Sequence, residues 1–278
     1  MPVDVYNRLR YSPCERIIGL EDLTQMALGA EMQQEAVVHV LGVRFHTLTK
    51  QQAVERILYW IDQKSRRMVI TAGPEFVMQT QKDEALRRIA RAADLVTPDG
   101  IGVVWAANRR RRMVSERVTG VELVQELLET AEQRHQSLRV YVLGASETSL
   151  QACLANFRAS YPGCEFAGEN GYFRPEDLPQ VLARVEAFAP HVWLVGLGQP
   201  RQEKLIYEAL GGLPPCVAIG VGGSIDVWGG TVKRAPLLFR RLNLEWLYRL
   251  LKQPSRWRRQ LALPRFAWKV LRNLDGDD

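Results

Sequence analysis

No stretch of the chain approaches the roughly 18 uninterrupted apolar residues that a membrane span needs, so a spanning helix is not expected. Met1 to Arg16 are polar and lack an apolar core segment, so no secretory signal is expected either. Only four cysteines occur, Cys14, Cys153, Cys164 and Cys216, scattered and without a CxxC pair. That argues against a disulfide framework or a zinc site, and for reduced thiols in a cytoplasmic protein. The four histidines, His39, His46, His135 and His191, have no metal-ligand spacing and are expected to be structural or exposed. The body carries no Asp-x-Asp pair, no Gly-x-Ser-x-Gly nucleophile elbow and no Walker lysine. Paired-carboxylate metal chemistry, serine hydrolysis and P-loop chemistry lose their usual signatures.

What remains is 278 residues, 46% hydrophobic and 24% charged, the composition of a soluble globular protein with a sizeable core. The net charge of +6 is unevenly spread. Residues 233–272 carry 12 Lys/Arg against one acid, Glu245, a local charge of +11, whereas the other residues sum to −5. In that basic stretch Phe239, Trp246, Tyr248, Trp257, Phe266 and Trp268 interleave with the arginines. A basic, aromatic segment suits an anionic membrane surface better than nucleic acid, which needs charge but fewer apolar anchors. The competing reading is a helix pair that packs its aromatics on the body and leaves its arginines solvated.

From Val37 onward, short β-branched runs alternate with helical stretches. Strands are expected at Val37–Val43, Met68–Thr71, Leu95–Thr97, Leu138–Leu143, Glu165–Ala167, His191–Val195 and Cys216–Val221. Helices are expected at Lys50–Lys64, from Glu75, and at Asp83–Ala93, Gly120–His135, Thr148–Tyr161, Pro175–Ala189 and Gln199–Leu210. This alternation predicts an α/β fold: a Rossmann-like, largely parallel sheet with helices on both faces. The expected domains are an N-terminal extension (1–36), the Rossmann-like body (37–232) and a basic, helical C-terminal appendage (233–278). Pro236, Pro254 and Pro264 break the appendage into short helices, and the body's core is expected to form without it.

Ligands of open α/β sheets collect outside the carboxyl ends of the strands. Here those ends carry Thr71 and Gly73-Pro74-Glu75, Pro98-Asp99-Gly100, Gly144-Ala145-Ser146, Gly196 through Glu203, and Gly222-Gly223-Ser224-Ile225-Asp226. Glycines ahead of helices let backbone N–H groups reach phosphate. Together they point to a nucleotide or sugar-nucleotide pocket, although each Gly-x-Gly pair alone is only a turn. Both pairs lack the third glycine of the dinucleotide fingerprint, which argues against a nucleotide-dependent oxidoreductase. Asp99 is the leading catalytic candidate, a carboxylate presented by a sharp turn where it can take a proton from a hydroxyl. An Asx-turn or helix N-cap aspartate is the alternative. The Arg109–Arg112 run reads as a solvated loop.

Several motifs then occur in order: Thr97-Pro-Asp-Gly-Ile-Gly-Val-Val-Trp105, Glu116-Arg-Val-Thr-Gly120, Gly196-Leu-Gly-Gln-Pro-Arg-Gln-Glu203 and Gly220-Val-Gly-Gly-Ser-Ile-Asp226. Lys233-Arg-Ala-Pro236 and Leu244-Glu-Trp-Leu-Tyr-Arg-Leu-Leu251 follow. Over roughly residues 38–272 the chain resembles the WecG/TagA/CpsF glycosyltransferases. The resemblance implies transfer of an N-acetylhexosamine, commonly N-acetylmannosamine, from a UDP-sugar to a polyprenyl-diphosphate-linked sugar at the inner membrane face. It implies no cofactor and no metal. Asp99 falls at the family's proposed base, Thr71, Gln202 and Arg117 at pocket positions, and Tyr172 and Asp226 where uridine is held. Gly198, Gly222 and Gly223 belong to the same substrate-binding loops. Arg249, Arg256 and Arg259 match arginines thought to close over the site. The implied partners are the UDP-sugar, the lipid-linked acceptor and an anionic membrane surface, without nucleic acid; a homo-oligomer is compatible with the sequence. In one departure, Gly73-Pro74-Glu75 stands where the family usually has Asn-Pro-Glu.

Overall fold

The computed structural model describes residues 36–109, 114–236, 239, 245–252 and 261–272. The expected extension 1–36 therefore lies outside the described residues except for Ala36. The segment from Ala36 forms a compact unit of its own. An antiparallel hairpin, β1 (Val37–Val40) and β2 (Val43–His46), precedes helix α1 (Lys50–Asp62). Then come β3 (Arg67–Ala72), α2 (Pro74–Thr80), α3 (Glu84–Ala92), β4 (Leu95–Pro98), α4 (Ile101–Asn108) and α5 (Gly120–Gln133). The chain continues through β5 (Arg139–Gly144), α6 (Glu147–Ser160), β6 (Glu165–Glu169), α7 (Leu178–Phe188), β7 (Val192–Gly196) and α8 (Arg201–Ala209). It ends, among the described residues, with β8 (Val217–Gly220), α9 (Ser224–Trp228), α10 (Glu245–Lys252) and α11 (Ala262–Arg272).

Six strands form one parallel sheet in the order β4-β3-β8-β7-β5-β6. This is the Rossmann-like α/β architecture expected from the alternating pattern. Successive residues along a strand point to opposite faces, so each strand feeds two cores. Ile70, Val96, Tyr141 and Trp193 pack under α2, α3, α4, α7 and α8. Val69, Leu95, Val140, Val142, Leu194 and Ile219 pack under α1, α5 and α6. Helix starts follow local chemistry. The Thr49 hydroxyl accepts the Gln52 N–H while the Gln52 side chain accepts the Thr49 N–H, a reciprocal cap on α1. Asp83, Thr119 and Ser146 cap α3, α5 and α6 in the same side-chain-to-backbone manner.

Three expectations change. The single strand Val37–Val43 is a hairpin, because Leu41 and Gly42 both take positive φ (48° and 78°) and turn the chain back on itself. A helix, α4, follows Gly100 where the pattern gave only a turn. The body's core is also not complete without the appendage. Phe266 and Val270 of α11 are buried with Phe76, Val77 and Val103, so this aromatic is a core residue and not a surface anchor. Phe266→Ala is accordingly expected to destabilise the protein by about 3 kcal/mol or more, read by urea denaturation, since it empties an aromatic-sized site. A loss under about 1 kcal/mol would mean that α11 only rests on the surface.

His46 is buried and its Nδ1 accepts the Val96 N–H at 3.0 Å. Cys153, Cys164 and Cys216 are buried free thiols, and burial pushes Cys153 and Cys216 up to about 12, far from thiolate reactivity.

Candidate active site

The carboxyl ends of β3, β4, β7 and β8 open into a cleft of about 480 Å³. Its lining includes Thr71, Asp99, Arg117, Gly198, Gln202, Gly222 and Gly223, so the fold brings together seven residues singled out in the sequence. Asp99 sits just after β4, half-buried, with its N–H donated to the Ala72 carbonyl at 2.9 Å. Gly100 holds φ at 135°, a conformation that L side chains rarely adopt, and this turns the chain abruptly into α4. Gly100, not Asp99, is the N-cap of that helix, and no side chain caps it. The N-cap reading of Asp99 therefore falls away. Gly73 serves the same corner: a Cβ there would lie 2.7 Å from the Asp99 carbonyl oxygen. Absence of a side chain at this position lets the ends of β3 and β4 close on each other.

Thr71 is buried at the end of β3 and donates its hydroxyl to the Gly220 carbonyl at 3.0 Å, while its own carbonyl accepts from the Gln199 side chain at 3.2 Å. Gln202, only 1% exposed, uses its Oε1 to accept the N–H groups of both Gly198 (3.1 Å) and Gly222 (3.0 Å). Gly198 and Gly222 line the cleft with their N–H groups engaged by this buried amide. Gln202 Nε2 donates to Glu203 Oε1 at 2.8 Å.

A second cluster of charged residues also lines the cleft. Arg117 Nη1 pairs with Glu245 Oε2 at 2.7 Å, and Arg234 reaches both Glu122 and, at 3.6 Å, Glu245. Burial alone would raise the Glu122 carboxyl, but the Arg234 and Arg117 guanidiniums override it and hold the group below the usual carboxylate range. Arg234 and Glu245 were not singled out as site residues. Glu245 nonetheless carried a signal, as the lone acid in a stretch with 12 bases. A third part of the lining is apolar: Ile101 and Trp105 from α4, Trp246 from α10, and Leu263, Phe266 and Ala267 from α11.

Not every expected residue lines the cleft. Tyr172 is 82% exposed in the loop after β6 and lies outside the lining. Asp226, on α9, borders it: a Cβ on Gly223 would sit 3.9 Å from Asp226 Oδ2. Arg249 lies on α10, but its side chain is outside the described residues, as are Arg256, Arg259 and Arg110 to Arg112. Among the described residues no group of three or more His, Cys, Asp or Glu could hold a metal ion, and no helix is long and apolar enough to cross a membrane.

Glu203, fully buried, has its carboxyl pushed up to about 7, chiefly by burial, with hydrogen bonds from the Gln202 and Gln199 side chains partly opposing the shift. Between its ordinary value of 4.5 and about 7, the folded protein keeps a proton that the unfolded chain releases. Stability is therefore full below pH 4.5 and falls as pH rises to 7, by at most about 3 kcal/mol. Denaturation of wild type and Glu203→Gln at pH 5 and pH 7.5 checks this. The variant is expected to lack that component of the decline, and an unchanged pH slope would contradict it.

The description "Glycosyl transferase WecG/TagA/CpsF family" matches residues 38–276. A protein of Bacillus spizizenii, named N-acetylglucosaminyldiphosphoundecaprenol N-acetyl-beta-D-mannosaminyltransferase, is 36% identical over 215 residues, covering 77% of this chain and 82% of its own. A protein of the same name from Staphylococcus aureus strain MW2 is 36% identical over 242 residues, covering 86% of this chain and 94% of its own.

Proposed function

The chain belongs to the WecG/TagA/CpsF glycosyltransferase family, and from that premise we propose that it moves an N-acetylhexosamine, N-acetylmannosamine, from a UDP-sugar to a polyprenyl-diphosphate-linked sugar, with inversion. The observation that carries this reading is the mixed lining of the cleft: Asp99, Thr71, Arg117 and Arg234 together with apolar side chains from α4, α10 and α11. Such a lining suits an acceptor that is a sugar diphosphate at one end and a hydrocarbon at the other.

In the proposed reaction Asp99 accepts the proton of the acceptor hydroxyl as its oxygen bonds the anomeric carbon of the donor. The bond from that carbon to the UDP oxygen breaks, and its electron pair leaves with UDP. A positioned carboxylate base contributes roughly 10²–10⁴-fold. Charge gathering on the leaving diphosphate is met by Arg117 and Arg234, not by a metal. Glu245 and Glu122 hold these guanidiniums at the cleft until the diphosphate enters. No cofactor takes part, since the UDP-sugar is itself a substrate. The product feeds a cell-surface polysaccharide or a teichoic acid linkage.

The acceptor stays in the membrane, so the enzyme works as a peripheral protein at the inner face of the cell membrane. Leu251, Leu261, Trp268 and Leu271 are exposed, and Arg272 stacks on Trp268 at 4.6 Å, with Arg265 and Lys269 on the same helix. Each cation near an anionic surface contributes about 1 kcal/mol, so Arg265→Gln with Lys269→Gln is expected to weaken binding to phosphatidylglycerol-containing liposomes about 30-fold. Unchanged sedimentation with such liposomes would leave that face merely solvated. A UDP-release screen over several UDP-sugars, with lipid-diphosphate-linked N-acetylglucosamine as acceptor, tests the donor. N-acetylmannosamine is expected to dominate, and preference for another hexose such as glucose would correct the sugar while leaving the reaction class intact.

A further inference from the structure

Gln202 and Glu203 are adjacent on the first turn of α8, and both are fully buried under the cleft. An amide side chain has one accepting and one donating end. Here the accepting end gathers two N–H donors, Gly198 from the loop after β7 and Gly222 from the loop after β8. The donating end meets Glu203 Oε1. Turned over, the amide would set its NH₂ against two N–H groups, so both glycine contacts would fail. Gly220 leaves room for this arrangement, since a Cβ there would lie 2.7 Å from Gln202 Nε2. The Gln199 side chain donates to the Thr71 carbonyl, which ties the loop before α8 to the β3 side of the cleft. Glu203 Oε2 is buried without a hydrogen-bond partner. A carboxyl kept in such a place costs stability that an apolar residue of similar size would not.

We propose that Glu203 is the positioning residue of this cleft: as the obligate acceptor for Gln202, it fixes the amide so that one side chain clasps the β7 and β8 glycine loops together. Gln202 then acts by holding the cleft floor in register, and Glu203 acts through Gln202 without touching substrate. The inference rests on the glycosyltransferase reading for its activity assay but not for its structural assay.

The structural assay is amide hydrogen exchange at Gly198 and Gly222, which needs no substrate. Glu203→Leu is expected to speed exchange at both amides, whereas Glu203→Gln, which keeps an accepting oxygen, retains their protection. In the transfer assay Glu203→Leu is expected to lower kcat/KM about 10²-fold, the size of a misplaced site element, with Glu203→Gln within about tenfold of wild type. Gln202→Leu with Glu203→Leu is expected to cost no more than Gln202→Leu alone, because both break one clasp. Should Glu203→Leu not fold, the exchanged pair decides. Gln202→Glu alone sets two carboxyls against each other and, assayed well above the Glu203 value of about 7 so that neither donates, is expected to be inactive. Adding Glu203→Gln restores one acceptor and one donor, and with them activity and glycine protection. Undisturbed glycine exchange in a folded Glu203→Leu overturns the proposal, as does an exchanged pair no better than Gln202→Glu. Protection that follows the clasp in a protein that transfers no sugar would overturn the functional reading instead.

Discussion

Asp99→Asn is expected to lower turnover by at least about 10²-fold while UDP affinity, read by calorimetry, stays within about twofold, because loss of a general base acts on the chemical step. The expectation rests on placement. Asp99 is held at the carboxyl end of β4 by its N–H bond to Ala72, and Gly100 turns the chain sharply into the next helix. Asparagine preserves the shape and most hydrogen bonding but cannot take a proton. Near-normal turnover in this variant would remove Asp99 from the mechanism. Equal losses of turnover and of UDP affinity would make it a binding residue.

Arg117→Ala is expected to lower kcat/KM for the donor by about 10²–10³-fold, the scale on which single groups that stabilise developing charge act. The same substitution breaks the 2.7 Å ion pair to Glu245, so a control must separate charge chemistry from architecture. Glu245→Gln removes that ion pair and keeps both cations. If the arginines serve the diphosphate, Glu245→Gln retains most activity and only the arginine variant fails. If the pair matters solely because it seats α10, the two variants lose activity together. Arg234, which shares Glu245 and is neutralised mainly by Glu122, is expected to follow Arg117.

Much of this arrangement is legible in the residues themselves, and the exceptions have physical causes. Strands such as Met68–Thr71 and His191–Val195 read clearly because a parallel strand buried on both faces is a nearly continuous apolar run. Helix α4 does not, because Ile101-Gly-Val-Val-Trp-Ala-Ala-Asn108 is apolar nearly all round and offers no stripe with a polar opposite face. The β1–β2 turn at Leu41-Gly42 lacks the Asn-Gly or Asp-Gly signal that marks a two-residue hairpin. At the site, Asp99 and Thr71 could be found because strand ends are where ligands collect. The use of Gly198 and Gly222 could not, because a glycine N–H that faces a phosphate and one that faces a glutamine look alike in sequence. Phe266 counted as one more aromatic in a basic stretch, and only the packing of α11 on α2 and α4 shows it to be core. Glu245 was hidden in a different way: a single acid matters little to a local charge of +11, yet it joins α10 to Arg117 and Arg234.

If this cleft transfers a sugar onto a lipid-linked diphosphate acceptor without a metal, the product forms in the presence of a chelator. The most direct measurement incubates the full chain with UDP-N-acetylmannosamine and a polyprenyl-diphosphate-linked N-acetylglucosamine in excess EDTA, then analyses the lipid fraction by mass spectrometry and NMR. The expected product is an acceptor heavier by one N-acetylhexosamine in β linkage, formed by wild type and nearly absent with Asp99→Asn. Product that appears only when a divalent cation is restored, or forms equally well with Asp99→Asn, would contradict it.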